Sequence, residues 1–213
     1  RSHTGIGARH IASDGVRTSD LGADAARKAM EKAGIAPSEL DFILLATATP
    51  DFMAFPSTAC IVQEKIGAHG VPAFDISAGC TGFVYGLDIA SSMLEAKKGK
   101  YALVIGAETL TRITDWTDRA TCVLFGDGAG AAVLQYRQDS QGSGILKSLL
   151  GADGSGSGTL YMKLAERDKA FERNTPVVAC LEMDGQKVYT FAVKAITVMM
   201  ERLLHETNLK IDD

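Results

Sequence analysis

One of the four cysteines in this chain has neighbours that suit a nucleophile. Cys80 lies in the stretch DISAGCTGF, where an apolar run ends and a predicted helix begins at Thr81. The small residues around it leave the sulfur approachable, and the unpaired N–H groups at a helix N-terminus favour a thiolate. Such a thiolate can attack a thioester and hold the acyl group. A small buried residue at a tight turn explains the same pattern, so the local residues leave both interpretations open.

The other cysteines and the histidines are poorer candidates. Cys60 falls in a predicted amphipathic helix, and Cys122 and Cys180 fall in apolar, strand-like runs, which predicts three buried and inert thiols. His205 lies at the polar end of a helix, where a solvated side chain is expected, so Cys80 has no evident base partner. No C-x-x-C pair occurs, and the four histidines do not cluster with the cysteines. We therefore expect neither a zinc site nor a disulfide framework.

Two further stretches have both a chemical and a structural interpretation. GDGAG, residues 126–130, lacks the spacing and the lysine of a phosphate-binding loop. We expect it to be a tight glycine turn that lets backbones pass closely, in a place that could lie beside an active site. Arg119, in the polar loop TDWTDRAT, is either a contact for an anion or a solvated arginine in a salt bridge.

Apolar periodicity predicts the elements that position these residues. Residues 18–34 should form a helix that Thr18 or Ser19 caps and Gly34 ends. Its packed face is expected to carry Leu21, Ala25, Ala29, Met30 and Ala33. Short apolar runs predict strands covered on both faces at 41–48, 71–77 and 101–108, with helices at 56–66 and 81–98 between them. Strands alternating with helices in this way are typical of a layered α/β domain with a parallel sheet.

A change in composition predicts a second domain. Within residues 121–137, two apolar runs joined by the GDGAG turn are followed by the polar connector 137–144. After it we expect a strand, a flexible glycine-serine loop, and then a strand and a long helix within 179–213. The predicted domains are residues 1–138 and 139–213.

Composition excludes several functional classes. The chain has 213 residues, 46% of them hydrophobic, which is enough for a sizeable core. Its net charge of −4 with interspersed signs argues against a nucleic-acid partner. No apolar run is long enough to span a membrane, and the first residues show no secretory pattern, so a cytoplasmic protein is expected.

Five stretches, taken in order, resemble the ketoacyl-ACP synthase III family of the thiolase superfamily. They are AFPSTACIVQ, FDISAGCTGFVYGLDIA, YALVIGAETL, TDRATCVLFGDGAGAAVL and GADGSG. The resemblance implies a thiolase-like fold of two similar layered α-β-α halves, usually in a homodimer. This chain would hold a nearly complete first half, without its first strand, and the beginning of the second half.

The resemblance also implies the reaction. A cysteine at the position of Cys80 takes the acyl group of an acyl-CoA such as acetyl-CoA, and the carbanion from decarboxylated malonyl-ACP attacks the acyl-enzyme to give 3-oxoacyl-ACP. Arg119 matches a CoA-contacting arginine, and His3 and Thr4 lie in the first CoA-binding stretch. Phe55 matches a phenylalanine that reaches across the dimer to bound the partner's acyl pocket. The implied partners are acyl carrier protein and a second copy, with no cofactor and no metal.

The chain departs from the family pattern in two respects. His3 stands where many members have arginine. The histidine and asparagine that activate malonyl-ACP in the family belong to segments beyond the one that matches Asp213, so we expect these residues to hold only the acylation half of the chemistry. A condensing enzyme of secondary metabolism and a non-catalytic scaffold subunit remain alternatives. Lys187, Lys194 and Arg202 form either a surface for the acidic carrier protein or a solvated helix face.

Overall fold

The computed structural model describes residues 5–138, 144–162 and 180–212. The chain forms two compact units, of which the larger lies within residues 10–109 and 126–150. The smaller lies within residues 1–9, 110–125 and 151–213. The division into domains 1–138 and 139–213 remains a prediction.

The larger unit alternates helices and strands as predicted. Its helices are α1 (Thr18–Ala33), α2 (Thr58–Lys65) and α3 (Gly82–Glu95). Its strands are β1 (Phe42–Ala46), β2 (Ala73–Ile76), β3 (Tyr101–Thr109) and β4 (Asp127–Gln135). The sheet order is β2-β1-β3-β4, with β1 parallel to β2 and β3, and β4 antiparallel to β3. This arrangement confirms the predicted α/β class.

Helices cover the sheet on both faces, which gives an α-β-α arrangement around β1. All five residues of β1 are buried. Ile43 and Leu45 pack into a cluster with α1 and α2, whereas Phe42 and Leu44 pack into a cluster with α3. Full burial of such a side chain stabilises the fold by about 1.5–3 kcal/mol, and the continuous apolar run of β1 therefore follows from its central position.

Two of the predicted strands differ from expectation. β2 lies at the edge of the sheet, where only β1 pairs with it, so Phe74 is 40% exposed and the strand is not covered as predicted. Residues 145–150 form no regular secondary structure, although the strand prediction fell there. A hydrogen bond between the Ser148 hydroxyl and the Asp88 carboxylate ties this segment to α3.

Helix α1 has the predicted extent but a different cap and buried face. Arg17 is the N-cap, and Gly34 ends the helix with a φ of 67°. Thr18 and Ser19 lie inside the helix and are fully buried, because their hydroxyls bond to Thr49 O and to the Asp51 carboxylate. The buried residues are Thr18, Ser19, Gly22, Ala23, Ala26 and Met30. Of the predicted face only Met30 is buried, because the face that packs on the sheet follows Thr18, Gly22 and Ala26 at intervals of four residues.

An ion pair between α1 and α2 makes part of the stability of the fold depend on pH. Lys65 Nζ lies 2.7 Å from the Asp20 carboxylate. The hydrogen bond from Lys65, followed by that from the Arg17 N–H, lowers the pKa of Asp20 from its ordinary value of 3.8. A carboxyl group whose pKa is lowered in the folded state stabilises the fold above the unfolded-state pKa and loses that contribution as the pH falls.

We expect Asp20→Asn to lower the free energy of unfolding at pH 7 by at most about 1 kcal/mol, since the pair is partly exposed. The variant should also lose less stability than the parent protein between about pH 4 and pH 2. Urea unfolding at several pH values measures both effects. Asp24→Asn, which removes an exposed pair with Arg27 on the same helix, is the matched control for the effect on the free energy of unfolding at pH 7. An identical pH dependence in the Asp20 variant and the parent would contradict the expectation.

The smaller unit contains the long helix predicted near the C-terminal end. Strands β5 (Leu160–Met162) and β6 (Leu181–Met183) pair in antiparallel fashion, and α4 (Gly185–Thr207) follows β6. Asp184 caps α4 by accepting the Lys187 N–H, and Asn208 ends it in the left-handed region. None of the helices that the structure describes is long and apolar enough to cross a lipid bilayer.

Candidate active site

Cys80 occupies the turn between the carboxyl end of β2 and the start of α3, as predicted. A short 3-10 helix, Gly79–Thr81, makes this turn. Gly79 has a φ of 52°, a conformation that residues with a side chain rarely adopt, so glycine is needed just before the cysteine. The Cys80 side chain is exposed, which does not fit the alternative of a small buried residue at a tight turn. Its thiol is therefore open to a ligand in the larger unit.

Two glycines let α3 lie directly on the sheet beneath this turn. A Cβ on Gly82 would be 2.8 Å from the Ala46 Cβ, and a Cβ on Gly86 would be 2.8 Å from the Val104 Cγ1. Ala90 and Leu94 continue the same buried stripe at intervals of four residues. The spacing Gly82, Gly86, Ala90 is visible in the sequence and is the signal for this close packing.

A cavity of about 240 Å³ lies in front of Cys80. Its walls come from the ends of β1 and β3, the beginning of β4, and the first turn of α3. The lining residues are Ala46, Gly79, Cys80, Phe83, Gly106, Ala107, Glu108, Gly128, Ala129 and Gly130. The cavity is roomy because three of these residues lack side chains where β3 and β4 pair.

The GDGAG stretch belongs to this cavity but is not a turn. Gly128 and Gly130 lie within β4, paired with Glu108 and Gly106 of β3. A Cβ on either β4 glycine would meet nothing within 4 Å. The prediction of a glycine turn was wrong. The small residues lie along a strand and leave open space beside it, and they do not reverse the direction of the chain.

Glu108 is a cavity residue that the sequence analysis missed. Its carboxylate accepts hydrogen bonds from the Ala48 N–H at 2.8 Å and from the hydroxyls of Thr47 and Thr49. A glutamate at the end of an apolar strand was the available signal, since a polar residue there faces the carboxyl edge of a parallel sheet. Glu108 thus joins the cavity wall to the residues that follow β1.

The other cysteines differ in burial from the prediction. Cys60 is exposed, because the buried face of the short helix α2 consists of Thr58, Ala59 and Val62. Its thiol lies 3.5 Å from Ala73 O. Cys122 and Cys180 are half-buried. The prediction of burial was therefore wrong for Cys60, and Cys80 is distinguished by its turn and cavity and not by exposure alone.

Arg119 lies on an exposed loop of the smaller unit. Asp115 accepts hydrogen bonds from the N–H and the hydroxyl of Thr117, which lower the pKa of Asp115. Asp118 accepts the Ala120 N–H at 2.9 Å in the same way. These local bonds fix the backbone on both sides of Arg119, whose side chain is exposed. Exposure of the side chain is consistent with both an anion contact and a solvated arginine, so the role of Arg119 stays a prediction.

Phe55 and the two N-terminal candidates complete the predicted set. Phe55 is 84% exposed in the loop between β1 and α2, and Phe52 and Met53 beside it are also exposed. Within this chain, Phe55 is thus a large apolar side chain that is exposed to solvent. His3 and Thr4 lie outside the described residues, so their CoA-binding roles remain predictions.

Among the described residues of the larger unit, no histidine lines the Cys80 cavity. His205 is exposed on α4, as expected, and His69 is exposed and lies 3.2 Å from Glu64. His10 is also exposed. Within residues 5–138, 144–162 and 180–212, no group of three or more histidine, cysteine, aspartate or glutamate side chains could hold a metal ion.

Comparisons with known sequences find a family model and relatives that carry the same description. Residues 74–154 match the family model of 3-oxoacyl-[acyl-carrier-protein (ACP)] synthase III. The chain is 48% identical over 217 residues to a protein of Caldanaerobacter subterraneus subsp. tengcongensis named beta-ketoacyl-[acyl-carrier-protein] synthase III, covering 100% of this chain and 64% of that protein. It is 47% identical to the protein of the same name from Natranaerobius thermophilus, covering 100% of this chain and 65% of the relative.

Solved structures give the same result. The 3-oxoacyl-[acyl-carrier-protein] synthase III of Aquifex aeolicus VF5 is similar with a TM-score of 0.82 and 41% identity, over 95% of this chain and 60% of that one. The priming beta-ketosynthase of the R1128 polyketide pathway has a TM-score of 0.86 and 31% identity, and the match covers 100% of this chain and 62% of that one. These likenesses confirm the predicted thiolase-like fold. The chain spans only 64% and 65% of the two sequence relatives.

Proposed function

We propose that this chain, which is similar over its whole length to proteins named beta-ketoacyl-[acyl-carrier-protein] synthase III, belongs to that family and that its protein is an acyltransferase that initiates type II fatty acid synthesis. The observation that carries the proposal is the exposed thiol of Cys80, at the start of α3 and within a cavity. The cavity volume of about 240 Å³ equals roughly eight water volumes at about 30 Å³ each. A small acyl thioester fits such a space.

In the first half-reaction, the Cys80 thiolate attacks the thioester carbonyl carbon of an acyl-CoA, with acetyl-CoA as the simplest donor. A tetrahedral intermediate forms and its C–S bond to CoA breaks, so that CoA leaves as a thiolate and takes up a proton. Cys80 then carries the acyl group in a new thioester. The place of Cys80 directly before α3, with the cavity in front of its exposed thiol, supports this step.

The second half-reaction consumes malonyl-ACP. Loss of CO2 leaves an enolate, whose carbon attacks the acyl carbon on Cys80; the C–S bond breaks, the thiolate returns and 3-oxoacyl-ACP is released. Decarboxylation places negative charge on the thioester oxygen, which needs hydrogen-bond donors. The described residues around Cys80 include no histidine, so we assign to this chain the acyl-accepting half of the chemistry.

The remaining predicted roles form part of the same proposal. Arg119 would contact CoA, with His3 and Thr4 as further contacts. Phe55 would reach a second copy in a homodimer and bound its acyl pocket, and its exposure supports this role. Acyl carrier protein would be the second partner, in the cytoplasm. On α4, Lys187 pairs with Asp184 and Arg202 pairs with Glu206, which weakens the case for those two side chains as a carrier surface.

The proposal is tested by incubating the protein with acetyl-CoA that carries a radiolabelled acetyl group. We expect stable label on the peptide that contains Cys80, and in the full-length protein the addition of malonyl-ACP should release that label as 3-oxoacyl-ACP. Label on other peptides, or none, would contradict acyl transfer to Cys80. Label that malonyl-ACP does not discharge would support acylation alone and reject the condensing step.

The likeness to the priming ketosynthase of a polyketide pathway favours a second candidate function, that of a condensing enzyme of secondary metabolism. In that case the same Cys80 would accept a different acyl group for secondary metabolism. A series of acyl-CoA donors of increasing chain length separates the two, because an enzyme of fatty acid initiation should be acylated fastest by a short donor.

A further inference from the structure

The Glu108 carboxylate holds the loop between β1 and α2, residues 47–57, against the end of β3. One oxygen, Oε1, accepts the Ala48 N–H at 2.8 Å. The other, Oε2, accepts the hydroxyls of Thr49 and, at 3.3 Å, Thr47. Hydrogen bonds to a charged acceptor are roughly twice as strong as neutral ones, so three donors on one carboxylate make a firm attachment.

Buried threonines extend this attachment to α1. The Thr109 N–H donates to Thr49 Oγ1 at 2.8 Å, and Thr18 Oγ1 donates to Thr49 O at 2.6 Å. Thr18 Oγ1 and Thr109 Oγ1 lie 2.8 Å apart. Because the Thr18 proton is used on Thr49 O, the Thr109 hydroxyl must be the donor in that contact. The start of the loop is therefore bonded to β3 and α1 by groups excluded from water.

The middle and end of the loop are attached separately. Asp51 accepts the N–H and hydroxyl of Ser19, and its own N–H donates to Thr58 Oγ1. Asp75 accepts the N–H groups of Thr58 and Ala59 at the start of α2. The exposed apolar residues between Asp51 and Thr58, including Phe55, thus belong to a loop whose two ends are fixed by hydrogen bonds.

We propose that Glu108 is a positioning residue that sets the shape of the acyl site by holding the 47–57 loop against the end of β3, where Glu108 itself lines the Cys80 cavity. Ala46 and Glu108 both line the Cys80 cavity, and the loop starts immediately after Ala46. A shift of residues 47–49 therefore moves the cavity wall and the base of the segment that carries Phe55. This role rests on the proposed acyl transfer to Cys80, which it deepens.

The same two strands provide a matched control at their other ends. Asp41 precedes β1, and its carboxylate accepts the N–H groups of Lys100 at 2.6 Å and Tyr101 at 2.9 Å. Asp41 thus joins β1 to β3 at the amino edge of the sheet, as Glu108 does at the carboxyl edge. Asp41 does not line the Cys80 cavity. Loss of either carboxylate should weaken the sheet, but only loss of Glu108 should alter acyl transfer.

The experiment compares Glu108→Gln with Asp41→Asn in the full-length protein. Gln keeps the size of Glu but turns one acceptor oxygen into an N–H2 donor, so either Ala48 or the two threonine hydroxyls lose their acceptor. We expect the single-turnover rate of Cys80 acylation by acetyl-CoA to fall by about tenfold to a hundredfold in Glu108→Gln. The inhibition constant of free CoA should change by less than about twofold. Asp41→Asn should keep the parent acylation rate.

Amide hydrogen exchange gives a readout that does not depend on activity. Exchange across residues 47–57 should become faster in Glu108→Gln and stay unchanged in Asp41→Asn. Equal effects of the two variants on acylation, or unchanged exchange in the Glu108 variant, would overturn the positioning role. If the parent protein is not acylated at all, the proposed function fails, whereas faster exchange only in Glu108→Gln would still establish the attachment of the loop.

Discussion

Replacement of Cys80 by alanine should abolish transfer of an acetyl group from acetyl-CoA to the protein. The thiolate is the group that forms the new thioester, and Cys80 is the one cysteine among the residues that line the cavity. Cys80→Ser should fail as well, because an unactivated hydroxyl is a weak nucleophile near neutral pH. Mass spectrometry of the intact protein after incubation with acetyl-CoA measures the bound acetyl group directly.

Cys60→Ala is the matched control, since Cys60 is also an exposed cysteine. It lies outside the cavity, so the control should be acetylated at the parent rate. The free energy of unfolding of Cys80→Ala should stay within about 1 kcal/mol of the parent value, as is usual for an exposed side chain. Acetylation of Cys80→Ala at the parent level, or loss of acetylation in Cys60→Ala, would contradict the assignment of the nucleophile.

Gly82→Ala should impair both stability and acyl transfer. Alanine would normally favour a helix over glycine by about 1 kcal/mol. Here its Cβ would lie 2.8 Å from the Ala46 Cβ, and the contact can be relieved only if α3 moves away from β1. Overpacking of this kind costs about 1–3 kcal/mol, and the displaced turn should slow acylation of Cys80 by about a hundredfold.

The clash partner offers a direct rescue. Ala46→Gly removes the methyl group that the new Cβ would meet, so the double variant Gly82→Ala/Ala46→Gly should recover most of the acylation rate. Urea unfolding and single-turnover acylation of the two single variants and the double variant form a mutant cycle that measures the coupling. Additive losses in the double variant would show that the contact between these two residues is not the cause.

The sequence predicted the larger unit well because its signals are local. The apolar runs of β1 and β3 and the cap at Gly34 follow from burial and backbone conformation, which neighbouring residues determine. The prediction was wrong where burial depends on distant partners. Thr18 is buried because its hydroxyl finds Thr49, and β2 is half-exposed because it lies at the sheet edge.

The site could be predicted only in part for the same reason. The turn with Cys80 is local, so small neighbours and the following helix placed it correctly. The cavity is formed by strands that are distant in sequence, and the pairing of Gly106 with Gly130 could not be read from either stretch alone. Glu108 was missed because its donors, such as Ala48, are 60 residues away in the chain.

The path of the chain between β3 and β4 has a consequence for engineering. The two strands pair directly from Thr109 opposite Asp127, yet residues 110–125 between these ends belong to the smaller unit. No single cut can therefore separate the units. Since Thr109 and Asp127 are already neighbours, a two-residue type I′ turn such as Asn-Gly is long enough to join them. The segment that carries Arg119 is, in this sense, an insertion at the tip of a β-hairpin.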